Sequence, residues 1–563
     1  MEADLSSLRL SLVVSGALAL GAYEAGVVAQ LAHSLEEQAS EEGKPPRAVV
    51  DVICGSSAGA VTGGMLACHL LGGGKASDFI ERSRKVWCSP ETNLDQLIVP
   101  HAKDGRSLLS SHKIRDLCKR YFCQSNFEPS RVRQAELAFT ATLTSLDKIP
   151  FETITSSQHS WYGASHQDYV TFVADRQGVW EVPFGCTRED SRARGSDWER
   201  VVQFSLASAA FPGLWEPLPL KRPSQFFRPP WQQLEAEVEL EYADGGLINN
   251  LPLNLASLSR SSLLSRHRRE ERLYLVIEPD PVEIGTGLPG HHHANDSILR
   301  LLHKVFGVIG EQSFHQDLRH ANETNHRLNA RNQLFHRLAH SYCLNLAEDE
   351  LDQEFARLDR ELDDLLLNLG APQTCEEVVQ RYGWQFERGE HTRGWMVLLD
   401  EQRRGIFLRV VALLDRISGL QDEHPIEVRR IRPPSAGLLL GASLGHLGGL
   451  VHEGLRLHDF LAGMEHGHLF LVERARQRGW PRPTLAVAHL SDQEKRSLQN
   501  LPSEDQISQS FTKALSQRLT GFLADEMVGN FLARGALKLT APWVIQTLTR
   551  RRQKPTPEER GPS

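Results

Sequence analysis

Ser57 stands in the run Gly55-Ser56-Ser57-Ala58-Gly59, which satisfies the G-x-S-x-G spacing. That spacing suits a serine nucleophile, because small neighbours let the backbone turn sharply between a strand and a helix and lift the hydroxyl clear of it. The N–H of Ala58, at the start of the helix that follows, would then be placed to stabilise an oxyanion. A pentapeptide of this kind also occurs as a plain small-residue helix start. Two runs elsewhere bear on the choice. Ser15-Gly16-Ala17-Leu18-Ala19-Leu20-Gly21 is a small-residue turn whose consecutive N–H groups, those of Gly16, Ala17 and Leu18 among them, suit a phosphate or a tetrahedral oxyanion. It lacks the G-x-G-x-x-G pattern of a dinucleotide site and reads equally as a simple tight turn. Asp244-Gly245-Gly246-Leu247-Ile248-Asn249-Asn250-Leu251-Pro252 offers a carboxylate on a turn that two glycines leave open to a neighbouring loop. Asp244 could act as the base for a serine without a histidine, or the run could be an ordinary Asp-Gly turn.

The elements that must position these residues follow an α/β pattern. The spacing predicts a strand over Leu8 to Val14 and a helix over Tyr23 to Leu35, then a strand over Ala48 to Cys54 and a helix over Ala60 to Leu71. Five of the six residues from Val49 to Cys54 are apolar, as a buried strand requires. Two strand-turn-helix units in succession favour a mainly parallel central sheet. Further strands are expected at Leu137 to Leu143, Asp168 to Ala174 and Leu273 to Ile277, and the stretch Val282 to Ser297 reads as a loop. From Ile298 to about Leu420 the period is helical, with stripes such as Leu358, Leu362, Leu365 and Leu366. The alternation from Ile426 to Arg432 predicts a short strand that could return the chain to the sheet. A Gly-rich segment over Ala436 to Leu450 then precedes helices to about Leu548, and the charged tail Arg550 to Ser563 reads as disordered. Residues 8–281 are thus expected to form the catalytic domain, 298–422 a helical insertion, 426–549 a C-terminal strand and helical region, and 550–563 a tail. The recurrence of Gly437, Gly441, Gly445, Gly448 and Gly449 favours close packing over a lipid-facing surface.

Taken together and in order, the three runs resemble the patatin-like phospholipase family. Ala207-Ser208-Ala209-Ala210-Phe211-Pro212-Gly213-Leu214 is similar to the segment that precedes the catalytic aspartate there. The resemblance covers roughly Leu8 to Pro281. It implies a three-layer α/β fold, a Ser57–Asp244 dyad, an acyl-enzyme intermediate and hydrolysis of ester bonds in membrane lipids, with no cofactor. The family's usual Gly-Gly-Gly-x-Arg/Lys-Gly turn is replaced here by Gly16-Ala17-Leu18-Ala19-Leu20-Gly21, which adds bulk at Leu18 and removes a cation at Leu20. Loss of one oxyanion donor costs about 100-fold to 1000-fold in rate, so this turn governs how fast such an enzyme could be. Arg456-Leu457-His458-Asp459-Phe460-Leu461-Ala462-Gly463 and Phe470-Leu471 look like the extensions of some bacterial members, without assigning chemistry. Two alternatives stand beside the hydrolase: a weakly active scaffold of the same family that binds lipid or a protein, and a Ser-His-Asp α/β-hydrolase drawing on one of 24 histidines.

Composition narrows the partners. With 63 basic and 71 acidic residues in 563, the net charge of -8 gives no basic surplus for nucleic acid. The eight scattered cysteines form no C-x-x-C pair and read as reduced, buried thiols of a cytoplasmic protein. Ala17-Leu18-Ala19 imitates a signal-peptidase site, but Glu2 and Asp4 oppose a secretory leader. No stretch reaches the roughly 18 apolar residues of a bilayer span, so contact with a membrane is expected to be peripheral. His291-His292-His293 reads as solvated and not as a metal site, and the histidines from His446 to His468 as structural. Oligomeric state leaves no trace in the sequence.

Overall fold

The computed structural model describes residues 7–39, 46–98, 107–123, 136–156, 159–227, 231, 237–263, 271–280, scattered positions from 319 to 357, 401–418, 426–435 and 437–526. By chain packing, residues 316–427 make one compact unit, and the chain before and after them makes another. In the smaller unit the helix Glu401–Ser418 buries Ile406, Leu408 and Val411. The proposed loop at 282–297, most of the helical stretch 298–420 and the tail 550–563 lie outside the described residues.

The larger unit is built on a sheet whose centre is parallel. Strands β1 (Leu8–Val14), β2 (Ala48–Gly55), β3 (Glu136–Ser156) and β9 (Arg272–Ile277) run in the order β9-β1-β2-β3, each pair parallel. Their apolar character on both faces suits strands covered by helices on both sides. Beyond β3 the sheet turns antiparallel, through β4 (His159–Asp175), β5 (Gly178–Val182) and β6 (Arg194–Ser196). Strand β8 (Glu237–Asp244) also pairs with β3, aligning Leu143 with Asp244, and β7 (Leu218–Pro223) pairs with β8. The short strand expected after residue 425 is β10 (Glu427–Ile431), next to β9.

Helix α1 (Gly21–Ala39) follows β1 and α2 (Ala58–Gly72) follows β2; the next are α3 (Ala76–Trp87), α4 (Leu94–Leu97), α5 (His112–Tyr121), α6 (Trp198–Ser208) and α7 (Leu253–Ser259). Neighbouring residues of a strand face opposite sides of a sheet. Gly63 of α2 sits against Ile53, whereas Ser259 at the end of α7 reaches Cys54 and Thr140, so α2 and α7 cover opposite faces. The three layers are thereby complete. Among the described residues no helix is long and apolar enough to cross a membrane.

The C-terminal segment joins this core. With α8 the helix Glu401–Ser418 and α9 the short turn Ser443–His446, α10 (Glu453–Arg478) lies against α1, followed by α11 (Asp492–Gln499) and α12 (Glu504–Glu526). A Cβ on Gly463 would fall 2.1 Å from Tyr23 O, so the two helix backbones touch where glycine leaves room. Gly441 and Gly449 are likewise packed, against Asp459 and Ala19. Two buried ionic groups tie the strands together. Arg272 donates to both carboxylate oxygens of Asp51 at 2.6 and 2.8 Å, and Arg222 donates to Glu181 and Asp168, each at 2.9 Å.

One expectation fails. Cys68 and Cys123, read as reduced thiols, form a disulfide between α2 and the end of α5. Their Cα atoms are 5.6 Å apart, a separation that a disulfide spans and that residues 55 apart in sequence could not announce. Cys54, Cys88, Cys118 and Cys186 are free, and Cys343 and Cys375 lie outside the described residues.

Candidate active site

Strand β2 runs straight into Ser57, whose φ of 51° is a strained left-handed value for a residue with a side chain. The pentapeptide glycines make that turn possible. A Cβ on Gly59 would lie 2.2 Å from Val14 O, and one on Gly55 would lie 2.4 Å from Gly59 O. The turn aims Ser57 Oγ at Asp244, and the hydroxyl donates to Asp244 Oδ2 at 2.5 Å. Strand β8 delivers that carboxylate by ending beside β3, where Thr144 Oγ1 donates to the Asp244 carbonyl at 2.8 Å. Gly246 N–H donates to Asp244 Oδ1 at 2.7 Å. Burial pushes the Asp244 carboxyl up from 3.8 to about 7, although the bonds from Ser57 and Gly246 pull the other way.

The segment Ala207 to Leu214 touches both residues. Ser57 N–H donates to Ser208 Oγ at 2.9 Å, and Asp244 N–H donates to Ala210 O at 2.9 Å. Ser208 and Thr144 carried no signal of these contacts in the sequence beyond their type.

The Gly16 turn lies beside the serine, since a Cβ on Gly16 would fall 2.9 Å from Ser57 Cβ. Gly16 itself is not an open donor as expected. Its N–H is held by Asn250 Oδ1 at 3.0 Å, while Asn250 Nδ2 donates back to Gly16 O at 3.2 Å. This closed pair of bonds anchors the turn to the run that carries Asp244. The N–H groups of Ala17, Leu18 and Ala58 have no acceptor among the described residues. Leu18 holds φ of 49°, uncommon for a bulky side chain.

Ser57, Ala58, Leu18 and Ala19 open onto one cavity. Its walls are mainly apolar, with Val61, Trp87, Ile114, Leu206 and Trp215 prominent, a lining suited to an apolar ligand. Among the described residues no histidine lines it and none bonds Ser57. Four of the later histidines are engaged elsewhere: His446 with Asp280, His452 at the start of α10, His458 with Asp459 and His466 with Tyr23. A Ser-His-Asp arrangement therefore has no histidine at this serine, and His291 to His293 lie outside the described residues. Among the described residues no group of histidine, cysteine and acidic side chains has the geometry of a metal site.

Residues 12–257 match the family model Patatin-like phospholipase. The chain carries a patatin-like phospholipase domain. No curated protein matches the chain. The patatin-like domain takes in the Gly16 turn, Ser57, Asp244 and Asn250, and its α/β architecture with a parallel centre agrees with the fold expected from the sequence. The match over these residues suggests lipid acyl hydrolysis, with a lipid as the substrate.

Proposed function

We propose that the protein is a serine lipid acyl hydrolase that works through a Ser57–Asp244 dyad. The observation that carries this reading is the 2.5 Å hydrogen bond from Ser57 Oγ to a buried Asp244, in an apolar cavity with no histidine in its described lining. Asp244 accepts the Ser57 proton as Oγ bonds to the ester carbonyl carbon, whose oxygen takes up the negative charge. The N–H groups of Ala17, Leu18 and Ala58, without an acceptor among the described residues, stabilise that oxyanion. The tetrahedral intermediate collapses, the C–O bond to the alcohol breaks, and Asp244 returns the proton to the leaving oxygen. Water, deprotonated in turn by Asp244, then attacks the acyl carbon; the bond to Ser57 Oγ breaks, Asp244 returns the proton to Oγ, and the fatty acid is released. A carboxyl that titrates near 7 is well matched to take and return a proton at neutral pH.

The substrate comes from a lipid surface, which makes contact with the membrane peripheral. The test is hydrolysis of p-nitrophenyl acyl esters and of phospholipid vesicles by wild type, Ser57→Ala and Asp244→Asn. Both variants are expected to lose turnover. Wild-type rates in Ser57→Ala would sink the mechanism.

A further inference from the structure

The residues that replace the family's glycines in the turn are apolar, and their side chains meet a segment outside the patatin-like domain. Ala19 shares a buried cluster with Leu450, Phe511, Ala514 and Trp215, and Leu18, Leu447 and Val451 pack against it. Gly449 is closely apposed to the same turn: a Cβ there would lie 2.9 Å from Ala19 Cβ. Leu20, one residue on, lies 3.3 Å from the Cβ position of Gly441. Packing of this kind is what holds a bulky residue such as Leu18 at positive φ.

The same segment walls the cavity. Leu450 and Arg456 line it together with Ser57, although both stand about two hundred residues beyond the end of the matched stretch. Arg456 is 2% exposed and fixes the wall. It donates to Gly449 O at 2.5 Å on one side, and on the other to Trp87 O and Ser89 O at 2.8 Å and to Thr92 Oγ1 and Asn93 Oδ1 at 3.0 Å. Trp87 and Thr92 line the cavity too, so one guanidinium joins two of its walls. None of these bonds goes to a carboxylate. The arginine spends its donors on backbone and neutral side chains, as a clamp does and as an anion-binding residue does not.

We propose that the segment from Gly448 to Arg456 is a working part of the active site, in which Leu450 selects the acyl chain. This rests on the hydrolase reading for the word acyl, and on packing alone for the wall. Discrimination by an apolar wall runs to about 10-fold or more per methylene-sized change. Leu450→Trp, which fills the cavity, is expected to lower kcat/KM for long-chain p-nitrophenyl esters at least tenfold relative to the butyrate. Leu450→Ala is expected to shift the preference toward longer chains. Val451→Ala, in the same cluster but off the cavity, should leave the profile unchanged.

The second arm needs no turnover. Displacement of a fluorescent fatty acid by a series of saturated fatty acids is measured on Ser57→Ala with and without Leu450→Trp, with thermal unfolding to show that each variant is folded. A shifted chain-length profile supports the wall even if no ester is hydrolysed, a result that would overturn the hydrolase reading alone. Hydrolysis with an unchanged profile in both Leu450 variants would overturn the wall and leave the hydrolase standing. Absence of fatty-acid binding in the folded Ser57→Ala protein would also overturn it.

Discussion

Asp244→Asn separates the chemical role of the carboxylate from its cost to the fold. In the folded chain burial holds this carboxyl at about 7, against an ordinary 3.8. A tenfold change in proton affinity is worth about 1.4 kcal/mol, so the buried charge costs up to about 4 kcal/mol once it is ionised. The folded value is the raised one. The relative stabilisation is therefore full below about pH 4 and is lost progressively as the pH rises to about 7. Asparagine cannot ionise and keeps an oxygen for Ser57 or Gly246. Chemical denaturation of both proteins from pH 4.5 to 8.5 should give curves that diverge, with Asp244→Asn the more stable at pH 8 by about 2 to 4 kcal/mol and close to wild type at the acid end. Over the same range wild-type kcat/KM should rise about tenfold for each pH step of one below pH 7 and level off above it, because only the ionised carboxylate accepts the Ser57 proton. Asp244→Asn should show no turnover at any pH. A stability difference that does not change with pH, or a flat wild-type profile from pH 5 to 8, would refute the reasoning.

Three further outcomes follow from the contacts. Asn250→Ala removes both side-chain bonds to Gly16, leaving only the backbone bond from Gly16 N–H to Asn250 O at 3.3 Å, and should lower kcat about tenfold to a hundredfold with little change in KM, since it loosens the turn and not the cavity; steady-state kinetics on a soluble ester reads the split. Gly463→Val forces a side chain against Tyr23 O and should cost at least about 1 to 3 kcal/mol in denaturant unfolding. Arg272→Met leaves Asp51 buried without its bidentate partner and should cost about 3 to 5 kcal/mol, most of it recovered in the double variant with Asp51→Leu.

What was legible in the chain was local. The apolar runs of β1, β2 and β9 and the small residues at 55 to 59 mark strands and a strained turn, because each depends on neighbours a few residues away. Strand β8 is equally legible, since Val238, Leu240 and Tyr242 alternate with glutamates and the strand ends on Asp244. The continuation of β3 past residue 143 and the start of β4 before residue 168 were not, since those segments carry no sustained apolar alternation. Pairings across the chain left no local mark. Asn250 reaching Gly16, Ser208 reaching Ser57 and Cys68 joining Cys123 all depend on the register of distant elements. In the sequence the replaced turn shows a loss of glycines and of a cation. In the folded chain its leucines and alanines are also the surface on which the C-terminal segment packs.

The central claim is that Ser57 is an activated nucleophile with Asp244 as its base. A fluorophosphonate probe followed by peptide mass spectrometry tests this without any assumption about the natural lipid. A single adduct is expected on the peptide containing Ser57, abolished in Ser57→Ala and formed far more slowly in Asp244→Asn. A folded wild-type protein that takes up no label, or a label placed on another serine, would contradict it.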